Sequence, residues 1–306
     1  MTGLAQLLLL EVFLSSVALA INGILLRILY RFLVFHNHMR VLVCQLTVCF
    51  LVVAFDSLTR ATASIFTLFI LKTEEILPYG ATSCRCPSPV PYLPVILTGA
   101  ISFVLCIERG FATVNFNGYE NSDCKRQLFI LSGFIWLVSF ASSIFGSSQE
   151  SSISCLMACT RQRTLIDTAN LPLTLGALCS WTFFGLFIYM VATNIRERTS
   201  YIKFRYSPNL SARYTLNVNI ETCKLLRNQY GILGFFCSIY LLHDILAVRG
   251  TEGAMSFDRL EFAYLLPPLA AMACAVNLLM NHNVICTRLK DMFRRRPGEG
   301  QNILPR

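Results

Sequence analysis

Residues 41–64 read VLVCQLTVCFLVVAFDSLTRATAS, an apolar run in which only Asp56 and Arg60 are charged. A helix needs roughly 20 mostly apolar residues to cross the hydrocarbon core of a bilayer, and this run has that length. Six further runs share its length and composition. The sequence therefore predicts an all-α bundle of seven transmembrane helices, with spans at 4–29, 41–64, 91–111, 127–147, 171–195, 230–248 and 260–286.

The composition also indicates a protein whose surface is covered mostly by lipid. Hydrophobic residues make up 55% of the chain and charged residues 14%, with a mean hydropathy of +0.57. A soluble domain has about a quarter of its residues charged. Because the seven runs and short connections occupy most of the 306 residues, we expect one membrane domain over 1–306, with a basic tail at 287–306.

Lys and Arg residues are distributed unevenly between alternate connections. If the N-terminus lies outside, the inner segments hold 19 of them and the outer segments hold 6. Basic residues collect in cytoplasmic connections, so we predict an external N-terminus and a cytoplasmic tail. The same rule explains the net charge of +9 without nucleic-acid binding, and we expect lipid rather than nucleic acid as a partner.

The first run has an alternative interpretation as a secretory signal peptide. Ala18-Leu19-Ala20 resembles a small-residue cleavage site, and cleavage there would leave six spans. A basic segment before the apolar run is missing, and Glu11 lies within the run. These two features favour a retained span, although the sequence does not decide whether residues 1–20 are cleaved.

Four of the 13 cysteines fall in predicted external connections, where the setting is oxidising. They are Cys84, Cys86, Cys155 and Cys159. One or two disulfides among them would tie the start of the third span to the connection after the fourth, and three complete pairings are open. The two close pairs also suggest a zinc site, but the spacing and compartment disfavour it. We therefore predict no metal.

Motifs of enzyme chemistry are missing from the sequence. It contains no H-E-x-x-H, no G-x-S-x-G and no P-loop. The four His residues do not form a metal-ligand spacing, so we predict neither catalysis nor a cofactor. A small-solute transporter or channel remains the alternative to a receptor, although the two halves of the chain show no internal repeat of the transporter kind.

The sharpest local feature is Glu108-Arg109, at the inner end of the third span. An acid beside an arginine can hold the guanidinium locally and release it to a neighbouring helix or a partner. A two-state ion pair of this kind is the element that a receptor needs. The alternative is a charge pair that only marks the end of a helix at the membrane interface.

Two stretches resemble the nematode serpentine chemoreceptors of the Sra superfamily, which contains classes a, ab, b and e. Residues 107–113, IERGFAT, with Tyr-Glu at 119–120, are similar to the E-R-x-x-A-T…Y-E signature. Residues 210–219, LSARYTLNVN, resemble the L-S-x-R-Y-Q-x-x-E-N segment before the sixth span, with Thr215 in place of Gln and Val218 in place of Glu. Class e (epsilon) is the class that the chain resembles most.

The resemblance implies a G-protein-coupled chemosensory receptor with a GPCR-like fold. Its partners would be an unknown external small molecule and the α subunit of a heterotrimeric G protein. Its location would be the plasma membrane, and the sensory cilia for a nematode chemoreceptor. The resemblance gives Glu108 and Arg109 the role of an ionic lock, and it places Tyr119, Arg213 and Tyr214 at the same G-protein face.

Basic residues on the predicted inner side concentrate in two segments. Residues 194–228 form the longest basic connection, and the tail contains three consecutive arginines at 294–296. These segments are suited to contact a G-protein α subunit. They are equally suited to anionic lipid headgroups, at about 1 kcal/mol for each basic residue, and both contacts are compatible with each other.

Charges inside spans are costly and are usually functional. At 1.5 Å per residue, Asp56 lies about 22 Å from the inner end of its span and His243 about 20 Å from the inner end of its own. Both therefore fall in the outer part of the membrane. We predict an outward-opening polar pocket among spans 2, 3, 6 and 7, with candidate residues Asp56, Arg60, Tyr240, His243, Asp244 and Tyr264.

Each pocket residue also has a structural interpretation. Asp56 and Arg60 are four residues apart on one helix face, where a salt bridge is expected. In this interpretation His243 and Asp244 mark the end of the sixth helix, and the aromatic residues fit an interfacial belt.

Epitope tags at both ends of the chain test the predicted topology. An antibody should reach the N-terminal tag on intact cells and the C-terminal tag only after permeabilisation, because an odd number of spans separates the two ends. Asn209-Leu210-Ser211 has the form of a glycosylation acceptor but lies on the predicted cytoplasmic side, so it should carry no glycan. Detection of both tags from one side would refute the topology.

Overall fold

The computed structural model describes residues 2–32, 37–66, 92–114, 130–131, 133–141, 165–203, 210–249, 264–282, 285–287 and 289–290. Within these residues the chain is helical and contains no strand. The helices are α1 (Thr2–Arg31), α2 (Asn37–Ile65), α3 (Tyr92–Val114), α4 (133–141), α5 (Leu165–Lys203), α6 (Leu210–Arg249) and α7 (Leu266–Asn281).

Each of these helices overlaps one predicted span. In the part of the chain that the structure describes, α1, α2, α3 and α5 are long and apolar enough to cross a membrane, and α7 is a shorter apolar helix. A helix satisfies its own backbone hydrogen bonds, which is what a segment in lipid requires. The prediction that the chain is all-α is therefore confirmed for the described residues.

The helices enclose one apolar core. Neighbours in the bundle are α1 with α2 and α7, α3 with α2 and α5, and α6 with α5 and α7. Each contributes side chains that are almost fully buried, such as Leu25, Leu46, Leu105, Tyr230 and Cys274. The outer faces carry large exposed apolar residues that include Phe13, Phe103, Leu178 and Phe235. An apolar exterior of this extent suits lipid and would promote association in water.

Helices α5 and α6 extend into the segment that was predicted to be a long inner connection. α5 continues to Lys203 and α6 begins at Leu210, whereas the predicted spans end at 195 and begin at 230. α6 has 40 residues, which is about 60 Å of helix. The early part of α6 is amphipathic rather than continuously apolar. Its buried apolar residues include Leu216, Ile220 and Leu226, and its exposed residues include Tyr214, Asn217 and Glu221.

Two glycines allow α5 and α6 to approach closely. A Cβ atom at Gly231 would lie 3.2 Å from the ring of Phe184, and one at Gly234 would lie 3.1 Å from the ring of Trp181. Both distances are tighter than ordinary van der Waals contact. Small residues at a helix interface are the usual means of close packing in membranes, so the two glycines set the separation of this helix pair.

Replacing Gly234 with Val tests the close packing of α5 and α6. The added methyl groups would push against Trp181, and overpacking of this kind costs about 1–3 kcal/mol. The variant should therefore lose its monodisperse state at a lower temperature than the unmodified chain. Size-exclusion chromatography after heating the detergent-solubilised protein measures this loss.

The matched control is the same substitution at Gly185 on α5, where a Cβ atom would meet nothing within 4 Å. Both variants carry the same β-branched side chain in a helix, so their difference isolates the packing contribution. Equal losses at the two positions would contradict the assigned role of Gly234.

Candidate functional site

The Glu108–Arg109 pair lies near the C-terminal end of α3, which is its predicted inner end, and is buried. Arg109 is 2% exposed. Its Nε and Nη2 groups donate to the two carboxylate oxygens of Glu108, so the two neighbouring side chains form a fork. Its Nη1 group donates to Oδ1 of Asn219 on α6 at 3.2 Å. The arginine is thus held by its own helix and also binds a second helix.

Asn219 uses its whole carboxamide in this cluster. Besides accepting from Arg109, it donates through Nδ2 to Oγ1 of Thr113 on α3 at 3.0 Å and to Oδ1 of Asn194 on α5 at 3.1 Å. The side chain is almost completely buried. A buried amide left without partners would cost about 1–3 kcal/mol, so the position of Asn219 depends on both neighbouring helices, α3 and α5, being in place.

Thr113 closes the cluster into a ring. Its hydroxyl donates to the backbone oxygen of Arg109 at 2.8 Å and accepts from Asn194 Nδ2 and from Asn219, each at 3.0 Å. Asn194 also donates to the backbone oxygen of Met190 at 2.8 Å. We call Glu108, Arg109, Thr113, Asn194 and Asn219 the inner polar cluster, after the side of the membrane on which the predicted topology puts them. It joins α3, α5 and α6 through buried hydrogen bonds.

Cys223 lies one turn from Asn219, on the part of α6 that precedes the predicted sixth span. Burial raises the pKa of its thiol to about 12, against the opposing effect of the Arg109 charge. The group is therefore a thiol at neutral pH, and its Sγ donates to Asn219 Oδ1 at 3.7 Å. Cys223 therefore makes a weak contact with the inner polar cluster. Its thiol is not in the thiolate form that reactive cysteines need.

The inner polar cluster brings the two characteristic sequence stretches together. Glu108, Arg109 and Thr113 belong to the IERGFAT stretch, and Asn219 is the last residue of LSARYTLNVN. The sequence pattern points to the charge pair but not to Asn194 or Asn219. Asn194 is an amide at the end of an apolar run, and Asn219 lies before the next run; neither has a distinctive meaning until the neighbouring helix is known.

The other residues predicted for the G-protein face are not part of the described inner polar cluster. Tyr214 lies on the face of α6 that points away from the bundle and is 65% exposed, so it is not part of the buried cluster. The backbone of Arg213 is in α6, but its side chain lies outside the described residues, as does the whole of Tyr119. Their roles remain predictions.

A second charged cluster lies at the opposite end of the bundle. Arg60 of α2 donates through Nη2 to the carboxylate of Glu11 on α1. The Glu11 side chain is 1% exposed and that of Arg60 is 22% exposed. The Arg60 Cζ atom also lies 3.5 Å from the ring centroid of Tyr264, which is a cation–π geometry. Arg60 therefore connects α1, α2 and the beginning of the α7 segment.

The remaining residues of the predicted pocket lie on α2 and α6. Asp56 is partly buried one turn before Arg60, and Tyr240 and His243 are partly buried on α6. The side chain of Asp244 lies outside the described residues, as do Cys84, Cys86, Cys155 and Cys159. The pocket and the disulfides therefore stay predictions. Among the described residues, no group of three or more His, Cys, Asp or Glu side chains could hold a metal ion.

The two clusters are separated by roughly the thickness of a membrane. Asn277 of α7 donates to Gln229 Oε1 of α6 at 2.9 Å, which aligns the two helices. Counting along α6 from Asn219 to Gln229 and then along α7 from Asn277 to Tyr264 gives about 35 Å of helix. The hydrocarbon core is about 30 Å thick, so the clusters lie near opposite faces of the bundle.

Removing one partner of the buried Glu11–Arg60 pair should destabilise the bundle strongly. An uncompensated charge in a buried position costs about 3–5 kcal/mol, so Arg60→Gln, which removes the cation beside the buried Glu11 carboxylate, should lower the temperature at which the solubilised protein loses its folded, monodisperse form. Heating followed by size-exclusion chromatography measures the effect.

The double variant Glu11→Gln/Arg60→Gln should recover most of that loss, because neither charge is then buried alone. A double variant as unstable as the sum of the single variants would show that the two side chains act independently.

The family comparison agrees with this architecture. The model of the serpentine type 7TM GPCR class ab chemoreceptors matches residues 2–284. Comparison with curated proteins finds no match. The predicted superfamily and the predicted seven-transmembrane, GPCR-like fold are confirmed, and the class is ab rather than epsilon. The two short stretches are shared at the level of the superfamily and do not separate its classes. The chain therefore belongs to the class ab serpentine chemoreceptors, a family of multi-pass membrane receptors.

Proposed function

We propose that this receptor binds a small external molecule at the plasma membrane and activates a heterotrimeric G protein on the cytoplasmic side. The observation that carries the proposal is the buried Arg109, held by Glu108 on its own helix and by Asn219 on α6. A guanidinium in this position can change partners when the helices move. The proposed orientation has the N-terminus outside and residues 287–306 inside.

The inner polar cluster has the energetics of a switch. Interhelical hydrogen bonds in membrane proteins are worth about 0.6 kcal/mol on average, so the bonds from Arg109 and Thr113 to α5 and α6 can break at modest cost. Glu108 accompanies Arg109 on the same helix, so the charge stays balanced when the bond to Asn219 is lost. The costly charge pair persists while the inexpensive contacts between helices change.

The ligand acts by shifting populations. A molecule that binds one arrangement of the helices more tightly than the other stabilises the first arrangement. We place its site in the predicted outer pocket, near Asp56, Arg60, His243 and Tyr264. Binding there would alter the packing of α2, α6 and the α7 segment. At the inner side, α3 would then separate from its neighbours, and Arg109 would become available to the G-protein α subunit.

The inner parts of α5 and α6 provide the proposed docking surface. They carry basic residues that include Arg196, Arg198, Lys203, Lys224 and Arg227. Such residues complement an acidic partner and also lie close to anionic lipid headgroups. The exposed Tyr214 is positioned on the same part of α6 to contact the partner.

Nucleotide exchange on purified heterotrimeric G proteins, with the receptor in lipid vesicles and no ligand added, tests the proposal. Arg109→Ala should abolish receptor-dependent exchange, because the group that meets the α subunit is lost. Asn219→Leu should raise the basal exchange rate about eightfold, the factor that corresponds to about 1.2 kcal/mol for the two bonds to α3 that hold the resting arrangement.

Asn217→Leu is the matched control, since Asn217 lies on the same helix but is exposed. It should leave basal exchange unchanged. Unchanged exchange in Arg109→Ala, at equal amounts of folded receptor, would reject the role of Arg109. Absence of exchange on every G protein with the unmodified receptor would reject coupling in this assay.

A further inference from the structure

Asp56 of the predicted pocket carries a carboxylate that no described residue binds. Its spacing from Arg60 predicts a salt bridge along α2. Arg60 donates instead to the carboxylate of Glu11, and its Cζ atom lies 3.5 Å from the ring centroid of Tyr264. Within the described ranges, neither an ion pair nor a hydrogen bond reaches the Asp56 carboxylate. The side chain is only partly buried, so a small molecule can still reach it.

The predicted outer parts of α1 and α2 carry an excess of negative charge. Their charged side chains are Glu11, Asp56 and Arg60, of which Glu11 and Arg60 neutralise each other. Asp56 therefore contributes one unbalanced negative charge at a depth where a charge is costly. An anionic ligand would be repelled by Asp56 and would have to compete with Glu11 for Arg60. A cationic ligand would remove the imbalance, because it brings the opposite charge with it.

Ser15 on α1 carries a second polar group that no described residue binds. Its Oγ atom is fully buried and makes no hydrogen bond within the described part of the chain. The neighbouring Ser16 shows the usual arrangement, because its hydroxyl donates to the backbone oxygen of Val12 at 2.7 Å. A buried hydroxyl without a partner is costly, so the Ser15 Oγ marks a place where a polar group of a ligand can bond.

Ser15 and Asp56 lie at the same depth in the bundle. α1 and α2 are neighbours that run in opposite directions, since only residues 32–36 connect them and the Glu11–Arg60 bond joins their far ends. From that bond, Ser15 is four residues closer to the connection on α1, and Asp56 is four residues closer on α2. Each step is one helical turn, or about 6 Å. Both groups therefore fall one turn inward of the ion pair.

We propose that the outer site binds a small protonated amine, with its ammonium group between the carboxylate of Asp56 and the hydroxyl of Ser15. The inference rests on the proposed function, since it names the chemical class of the external molecule. Asp56 balances the ammonium charge and accepts one N–H bond, and the Ser15 oxygen accepts another. A hydrogen bond with ionised partners is about twice as strong as a neutral one, so Asp56 supplies most of the affinity.

The test measures binding directly, as the rise in melting temperature of the purified receptor in lipid nanodiscs. The probes are isoamylamine, phenethylamine and tetramethylammonium. Each of the two primary amines is compared with the alcohol and the carboxylate of the same carbon skeleton. A sodium chloride series, in potassium buffer of constant ionic strength, tests an inorganic cation. Titration of each probe gives its apparent Kd.

We expect at least one primary amine to raise the melting temperature, and the alcohols and carboxylates to leave it unchanged. Asp56→Asn should weaken amine binding about thirtyfold or more, the factor that corresponds to about 2 kcal/mol for one partner of a buried charge pair. Ser15→Ala should weaken it about fivefold, which corresponds to about 1 kcal/mol for one neutral acceptor. Ser15→Ala should not affect the response to tetramethylammonium, because this ion has no N–H group.

Glu221→Gln is the matched control, because it also replaces a carboxylate with an amide but lies on an exposed part of α6. It should bind the amines like the unmodified chain. Without any probe, Asp56→Asn should melt no lower than the unmodified chain, since the substitution removes no bond within the described residues. This comparison shows that the variant is folded before its binding is measured.

Equal responses of the unmodified chain and Asp56→Asn to the amines, or no response in either, would overturn the proposal. A rise in melting temperature with the carboxylates would overturn it by assigning the site to anions, and a rise with sodium alone would assign it to an inorganic cation. A lower melting temperature of Asp56→Asn without a probe would give Asp56 a structural role and would also refute the inference.

The binding assay contains no G protein, so it separates the ligand class from the proposed function. A receptor that binds amines through Asp56 but fails in the exchange assay would reject coupling and keep the ligand class. A receptor that drives exchange but shows no Asp56-dependent amine binding would reject the ligand class alone.

Discussion

A charge buried among helices must be balanced where it lies, and the Arg109 guanidinium imposes this demand on the inner half of the bundle. Glu108 meets most of it, but one remaining donor needs an acceptor from another helix, and Asn219 supplies it. The amide of Asn219 then needs partners of its own, which Thr113 and Asn194 provide. Because each buried polar group is expensive to leave unpaired, a single arginine fixes how three helices meet.

The sequence predicted those features that depend on one segment at a time. Span length decides whether a helix can cross a bilayer, and this is why the runs of apolar residues located the helices. The early start of α6 was not visible in this way. Its first turns bury only one face, with Leu216 and Ile220 inward and Tyr214 outward, so no continuous apolar run marks them.

Features that depend on contacts between segments could not be predicted from the sequence. Spacing along α2 suggested Asp56 as the partner of Arg60, because residues four apart share a helix face. The structure adds Glu11, which lies on another helix and 49 residues away. Asn194 and Asn219 are a similar case. Each is an ordinary polar residue in the sequence until the packing of α5 on α6 brings the two amides together.

The two charged clusters are joined by the helix between them. The segment that contains α7 touches Arg60 through Tyr264 at one end and α6 through Asn277 and Gln229 further in. Asn22 of α1 also donates to the backbone oxygen of Ala271 at 3.2 Å. The α7 segment therefore contacts both the Arg60 cluster and the helix that carries Asn219.

The matching of rings to glycines between α5 and α6 has an evolutionary consequence. Trp181 and Phe184 occupy space that exists only because Gly234 and Gly231 lack side chains. A substitution on one helix therefore restricts which side chains the other helix can accept. The rings of α5 and the glycines of α6 should change together during evolution. Chimeras that exchange the whole hairpin between relatives should assemble well, whereas those divided within it should carry a steric conflict at the seam.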